Sequence, residues 1–382
     1  MNHRSSSHAH TPVQARTLRL LLAVLATFAM VLGIAGVGAT TAAADTVIDT
    51  IQVGDSPQGV AITPLGIRAY VTNNLDDSVS VINTATNTVV GAPIPVGDSP
   101  VGVAITPNGK FAYVANRFDD SVSVINTGTN MVVATVAVGN SPRGVAITPD
   151  GTRAYVTNST SVSVIDTATN MVVGLPIPVG DDAFGVAITP NGSFVYVTNV
   201  DDNTVSVINT STNMVVATVA VGNGPQGVAI TPDGTRAYVT NRLGDSVSVI
   251  DTGTNVAVGL PISVGDGPHG VAITPFGSRA YVTNSLDDTV SVIDTATNMV
   301  VDTITVGDSP EGVAITPFGT RAYVANRNDD SVSVIAIDQC LGSLCIGFGS
   351  LVGGGSTGSG GTGSLVGGGS LAGGGSAGSA GS

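Results

Sequence analysis

One segment constrains this chain more than any other: Gly144-Val-Ala-Ile-Thr-Pro-Asp-Gly-Thr-Arg-Ala-Tyr-Val-Thr-Asn158, which recurs with small changes seven times. All seven tyrosines, Tyr70, Tyr113, Tyr155, Tyr196, Tyr238, Tyr281 and Tyr323, occupy the same slot of the unit, spaced by 43, 42, 41, 42, 43 and 42 residues. A fixed period in the forties signals a repeat architecture in which each unit buries its faces only against its neighbours. The 382 residues are therefore read first as seven units, before any division into domains by length.

Within a unit the strand signals are dense. In the unit beginning at Gly227, an apolar run to Thr231 stops at Pro232-Asp233-Gly234, a turn in which Pro sets φ and Gly accepts its positive value. Arg236–Asn241 reads as a second strand. Ser246–Ile250 alternates small polar with β-branched residues and reads as a third. Val256–Val264 reads as a fourth, interrupted by Gly259 and Pro261, and Pro places it at the outer edge. Four short antiparallel strands per unit, seven times, predict an all-β, seven-bladed β-propeller. A β-solenoid is the competing architecture. Trp is absent and aromatics are only 4%, which fits thin sheets packed face to face through Val, Ile, Ala, Ser and Thr.

The two ends of the repeat are out of phase in a way a solenoid does not need. The seventh unit stops after its third strand, Ser331–Ile335, while Val47-Ile-Asp-Thr-Ile-Gln-Val-Gly54 matches the fourth strand of the sixth unit, Val300-Val-Asp-Thr-Ile-Thr-Val-Gly307. The spacing thus predicts that an N-terminal strand at 46–53 joins the last blade and closes the ring.

Outside the repeat, Arg16 and Arg19 precede an apolar run from Leu20 to Val37 and small residues ending in Ala42-Ala43-Ala44. This is the order of a secretory signal peptide, residues 1–44, with a retained anchor as its alternative. The expected location is secreted or at the cell envelope or surface. Residues 45–338 are the expected propeller, 339–346 a short clasp, and 347–382 a Gly/Ser-rich tail without charge, expected to be flexible. Cys340 and Cys345, the only cysteines, read as a disulfide in an exported chain, worth about 2 kcal/mol for so short a loop.

The net charge is −14. Loss of residues 1–44 removes three arginines and no acid, leaving −17. Lys110 is the only lysine. Such a chain is a poor ligand for nucleic-acid phosphate. The acids cluster in two loops per unit: Asp55, Asp98, Asp181, Asp266 and Asp308 before the first strand, and Asp76-Asp77, Asp119-Asp120, Asp201-Asp202, Asp245, Asp287-Asp288 and Asp329-Asp330 after the second. In a propeller these loops share one face, which should be acidic. Their expected role is local, bonding nearby backbone N–H groups. Calcium is weighed as an alternative, and no D-x-D-x-D-G loop supports it.

Tyr-Val-Thr-Asn at 70–73, 155–158, 196–199, 238–241 and 281–284, and Tyr-Val-Ala-Asn at 113–116 and 323–326, with Gly-Val-Ala-Ile-Thr-Pro before and Ser-Val-Ser-Val-Ile after, resemble the signature of YVTN-family β-propeller repeat proteins. The resemblance spans about residues 46–337. It implies the propeller fold and export or surface-layer-type placement, and it implies no reaction. Related seven-bladed propellers include lactonases and cofactor-dependent dehydrogenases.

One position varies while its neighbours repeat. The residue before each first-strand Gly is Gln58, Val101, Arg143, Phe184, Gln226, His269 or Glu311. It should lie at the mouth of the central channel, where a rigid scaffold presents a changing ring, and it is the candidate ligand site. Catalytic parts are scarce. His269 is the only histidine after residue 44, and neither a G-x-S-x-G elbow nor a C-x-x-C-H motif occurs. No cofactor or metal is expected. The reading is a monomeric exported binding or display module for a protein or carbohydrate ligand. A lactonase-like hydrolase or a lyase at the channel mouth, and a structural envelope component, are the alternatives.

Overall fold

A computed structural model describes residues 44–341 and 344–346, with side chains through residue 338. Residues 1–43, which hold nearly all of the expected leader, and the Gly/Ser-rich tail lie outside the described residues. Seven antiparallel sheets follow one another, each returning every 41 to 43 residues as the tyrosines do. Blade 1 consists of Pro57–Ile62, Arg68–Asn73, Ser78–Asn83 and an outer strand in two pieces, Thr88–Val89 and Ile94–Pro95. The outer strand is split in the same way in blades 3 and 5, the others with a Gly-x-Pro insertion, such as Gly259-Leu-Pro261. It runs unbroken, with a bulge, in blades 2, 4 and 6. Proline lacks the N–H that a ladder needs, so the interruption falls on the edge, where one side has no partner to lose.

The ring closes as the sequence predicts. Thr46–Gln52 pairs antiparallel with Ser331–Ala336, Thr46 opposite Ala336 and Gln52 opposite Ser331. This strand completes blade 7, whose other strands are Pro310–Ile315, Arg321–Asn326 and Ser331–Ala336. Closure removes the open edge that would otherwise template aggregation.

The core is seven interfaces. Between blades 1 and 2, for example, Tyr70, Val79, Val81 and Ile94 pack on Ala112, Val114 and Ile125. The third strand is buried on both faces, and its hydroxyls accept from the amide of the buried asparagine of the second: Asn73 Nδ2 donates to Ser78 Oγ and Ser80 Oγ, both at 2.9 Å. Each tyrosine ring is buried, and its hydroxyl crosses to the next blade: Tyr70 donates to Asn130 Oδ1 at 2.8 Å, Tyr113 to Asn170 at 2.6 Å and Tyr323 to Asn87 at 2.9 Å. Burial pushes the Tyr113 and Tyr196 hydroxyls up to about 12, so they remain protonated donors.

The paired aspartates also act across loops, over longer distances than the local turns expected. Asp76 Oδ2 accepts the N–H of Asp55 at 2.8 Å within blade 1, and Asp77 Oδ1 accepts that of Ser99, entering blade 2, at 2.8 Å. Asp330 Oδ1 accepts from Ser56 N at 2.8 Å, stapling blade 7 to blade 1. The backbone of Gln339–Leu341 pairs with Leu344–Ile346, setting Cys340 opposite Cys345; their side chains lie outside the described residues.

Candidate functional site at the channel mouth

The first strand of every blade faces the centre, and together they surround a cavity of about 190 Å³. Its wall carries a ring of glycines, Gly59 to Gly312, above a ring of valines, Val60 to Val313. The glycines are required by closeness. A Cβ on Gly102 would lie 2.4 Å from the Arg143 carbonyl oxygen of the next blade, and Gly102 N–H donates to that oxygen at 2.8 Å. The main chain of the ring is therefore packed against itself.

Six of the seven varying residues line this cavity: Gln58, Val101, Arg143, Phe184, His269 and Glu311. Gln226 does not. Its side chain is buried beside the wall with Oε1 lacking a protein partner. The threonine of the Tyr-Val-Thr-Asn motif positions the ring. Its hydroxyl donates to the carbonyl oxygen of the varying residue one blade on: Thr72 to Val101 at 2.7 Å, Thr157 to Phe184 at 2.7 Å, Thr240 to His269 at 2.7 Å and Thr283 to Glu311 at 2.6 Å. Blade 2 has Ala115 in place of that threonine, and the Gly102 N–H serves instead.

The chemistry is concentrated on one arc. The Arg143 guanidinium forks onto Asp182, Nη2 to Oδ1 at 2.7 Å and Nη1 to Oδ2 at 3.0 Å, and lies 5.2 Å over the Phe184 ring. Phe184 meets His269 edge to face at 5.3 Å. His269 Nε2 stands 3.8 Å from Glu311 Oε2, beyond a direct hydrogen bond. The other Glu311 oxygen accepts from Arg327 Nη1 at 3.2 Å, and Arg327 Nε donates to Ser56 Oγ at 3.1 Å. Burial lowers the His269 pKa below 6.5; the Glu311 carboxylate opposes this, and the Arg242 and Arg327 guanidiniums add to it. The imidazole is therefore neutral at pH 7, with only 14% of its side chain exposed. Arg117 is lowered too, first by burial and then by Arg143 nearby.

Sequence reasoning missed Asp182, Arg117, Arg242 and Arg327. The signal for Asp182 was present: Asp181-Asp182-Ala183 breaks the Asp-Ser-Pro pattern of blades 1, 2 and 7. Arg117, Arg242 and Arg327 share one slot, the residue after the second-strand Asn, which varies from blade to blade as the first ring does. Among the described residues no cluster of His, Cys, Asp or Glu is placed to hold a metal ion.

Comparison with known proteins bears on the site. The family model described as "Lactonase, 7-bladed beta-propeller" matches residues 5–175 and 185–347. No curated protein matches the chain. Among solved structures, Kuenenia stuttgartiensis hydrazine synthase is 24% identical over 79% of this chain and 99% of that one, with a TM-score of 0.68, a likeness of fold.

Proposed function

The chain belongs to the lactonase family of seven-bladed β-propellers, and from that membership we propose that it hydrolyses a cyclic ester at the mouth of the central channel. The observation that carries this reading is His269, a neutral imidazole beside the Glu311 carboxylate on the cavity wall. A base must be unprotonated at the working pH, and the shift away from 6.5 supplies that. In the proposed reaction a water between the two groups gives its proton to His269 as its oxygen attacks the lactone carbonyl. Glu311 stabilises the imidazolium that forms. Arg327, hydrogen-bonded to Glu311 through Nη1 and to Ser56 through Nε, fixes that carboxylate in place. The ring C–O bond then breaks, the imidazolium returns its proton to the leaving oxygen, and a hydroxy acid departs.

The experiment is proton release from a panel of five- and six-membered lactones at constant pH. Hydrolysis that falls by about 10²-fold or more in His269→Ala and Glu311→Gln, at unchanged melting temperature, supports the reading. Hydrolysis of none of them, or full activity in both variants, overturns it.

A second reading, a binding module, is favoured by a different observation. On the face that carries the channel mouth, Leu75, Phe118, Leu243 and Leu286 stand exposed beside the aspartate loops. A cationic partner with apolar side chains suits that surface, and pull-down lost in a Phe118→Ser, Leu243→Ser double variant would support it. The leader and the Tyr-Val-Thr-Asn motifs favour placement outside the cytoplasm for either reading.

A further inference from the structure

The turn between the first and second strands differs around the ring. After the turn proline, blades 2 to 5 carry Asn108, Asp150, Asn191 and Asp233. Blades 6, 7 and 1 carry Phe276, Phe318 and Leu65, with Ile67 two residues on. These side chains are 78%, 72%, 75% and 57% exposed. Ring closure makes the three blades consecutive, and a Cβ on Gly66 would lie 3.1 Å from Pro317 Cδ, so the turns of blades 7 and 1 touch. Adjacent exposed aromatic and leucine tips mark a surface that meets something apolar.

What meets it is indicated by how the chain reaches the ring. The closing strand Thr46–Gln52 begins on this face, Thr46 opposite Ala336. Asp45 is pinned to blade 6 by Arg279 and Tyr281. The closing strand therefore starts from the same face of the ring as the turns that carry Phe276 and Phe318. The apolar run Leu20–Val37 ends only residues 38–44 away, a tether of at most about 25 Å even fully extended. If that run occupies a bilayer, the short tether starts from this face and keeps it the nearer one. Charge gives the same orientation. Arg68, Arg279 and Arg321 begin the second strands at these three turns, with Asp45 and Asp294 the acids beside Arg279, while the paired aspartates crowd the opposite face, away from anionic headgroups.

We propose that the turns of blades 6, 7 and 1 rest on a lipid bilayer, with Leu65, Phe276 and Phe318 at the boundary of headgroups and acyl chains. The channel mouth then faces away from the membrane.

The chain contains no tryptophan, so single reporters read each face separately. Phe276→Trp and Phe318→Trp probe this face; Phe118→Trp probes the other. Full-length protein is mixed with phosphatidylcholine–phosphatidylglycerol vesicles carrying brominated acyl chains. The expected result is a blue shift and several-fold stronger quenching at 276 and 318 than at 118, with melting temperatures matching the parent. No quenching at 276 and 318, or equal quenching at all three, overturns the proposal. A blue shift that appears without vesicles and grows with protein concentration assigns the patch to a second copy of the chain and also overturns it.

Discussion

The Tyr281 hydroxyl of blade 6 hydrogen-bonds the buried carboxylate of Asp45, which stands where the other six tyrosines find an asparagine. In the other blades the asparagine comes from the turn between third and fourth strands; blade 7 takes its fourth strand from the other end of the repeat, and the residue just ahead of that strand takes the position. Asp45 also accepts from Arg279 Nη1 at 3.0 Å and from the Asp338 N–H at 2.8 Å. Asp45→Ala leaves a guanidinium and a phenol short of their acceptor and should cost about 3–5 kcal/mol. Asp45→Asn keeps an acceptor for Tyr281 and should cost about 1 kcal/mol. Urea unfolding midpoints check the order. Deleting 45–53 exposes the third strand of blade 7, and the expected outcome is aggregation, followed by light scattering.

The tyrosine hydroxyls give a second test. Tyr196→Phe removes the donor to Asn255 Oδ1 while keeping the ring in its interface. A loss of about 1–2 kcal/mol is expected. Tyr196→Ala also empties the interface and should cost about 3–5 kcal/mol. Chemical denaturation of the two variants separates the hydrogen bond from the packing.

His269 makes stability depend on pH. Its folded pKa lies below the ordinary 6.5, so between the two values the unfolded chain binds more protons than the folded one. Stability is thus complete above 6.5 and declines as the pH falls through that value. Asp150 and Asp233, lowered from 3.8 mainly by the Thr148 and Thr231 hydroxyls, add a separate loss only below 3.8. Melting temperatures from pH 8 to 5 should fall in the parent and fall less in His269→Gln. If His269 is the base, lactone turnover is lost as the imidazole is protonated, at a pH below 6.5.

The pairing of Cys340 with Cys345 on facing strands gives the disulfide reading a direct check. Protein purified without reductant should resist iodoacetamide under denaturing conditions and take up two labels after reduction. Cys340→Ser should lower stability by about 2 kcal/mol or less. Free labelling of the unreduced protein would end the reading.

The ring was legible because it rests on identity between units: one tyrosine per period, and a leading segment that copies an outer strand. The channel-mouth residues were legible for the opposite reason, since Arg143, His269 and Glu311 break a monotonous background. What stayed hidden is contact between units. Tyr155 and Asn213 are 58 residues apart, and Ser56 and Asp330 are 274 apart. Nothing in either local sequence points to the other. Asp182 was hidden differently, as one more aspartate in an aspartate-rich loop until its salt bridge with Arg143 set it apart. Gln226 shows the limit of reading by slot. It shares its position with Gln58 and yet is buried beside the wall.

The aperture at the centre is drawn by main chain, glycine against carbonyl, and held by threonine hydroxyls set behind it. Its diameter therefore does not depend on which side chains decorate the rim. A gene specifying this wheel can rewrite one rim residue at a time, changing what the opening accepts while its frame stays as it was.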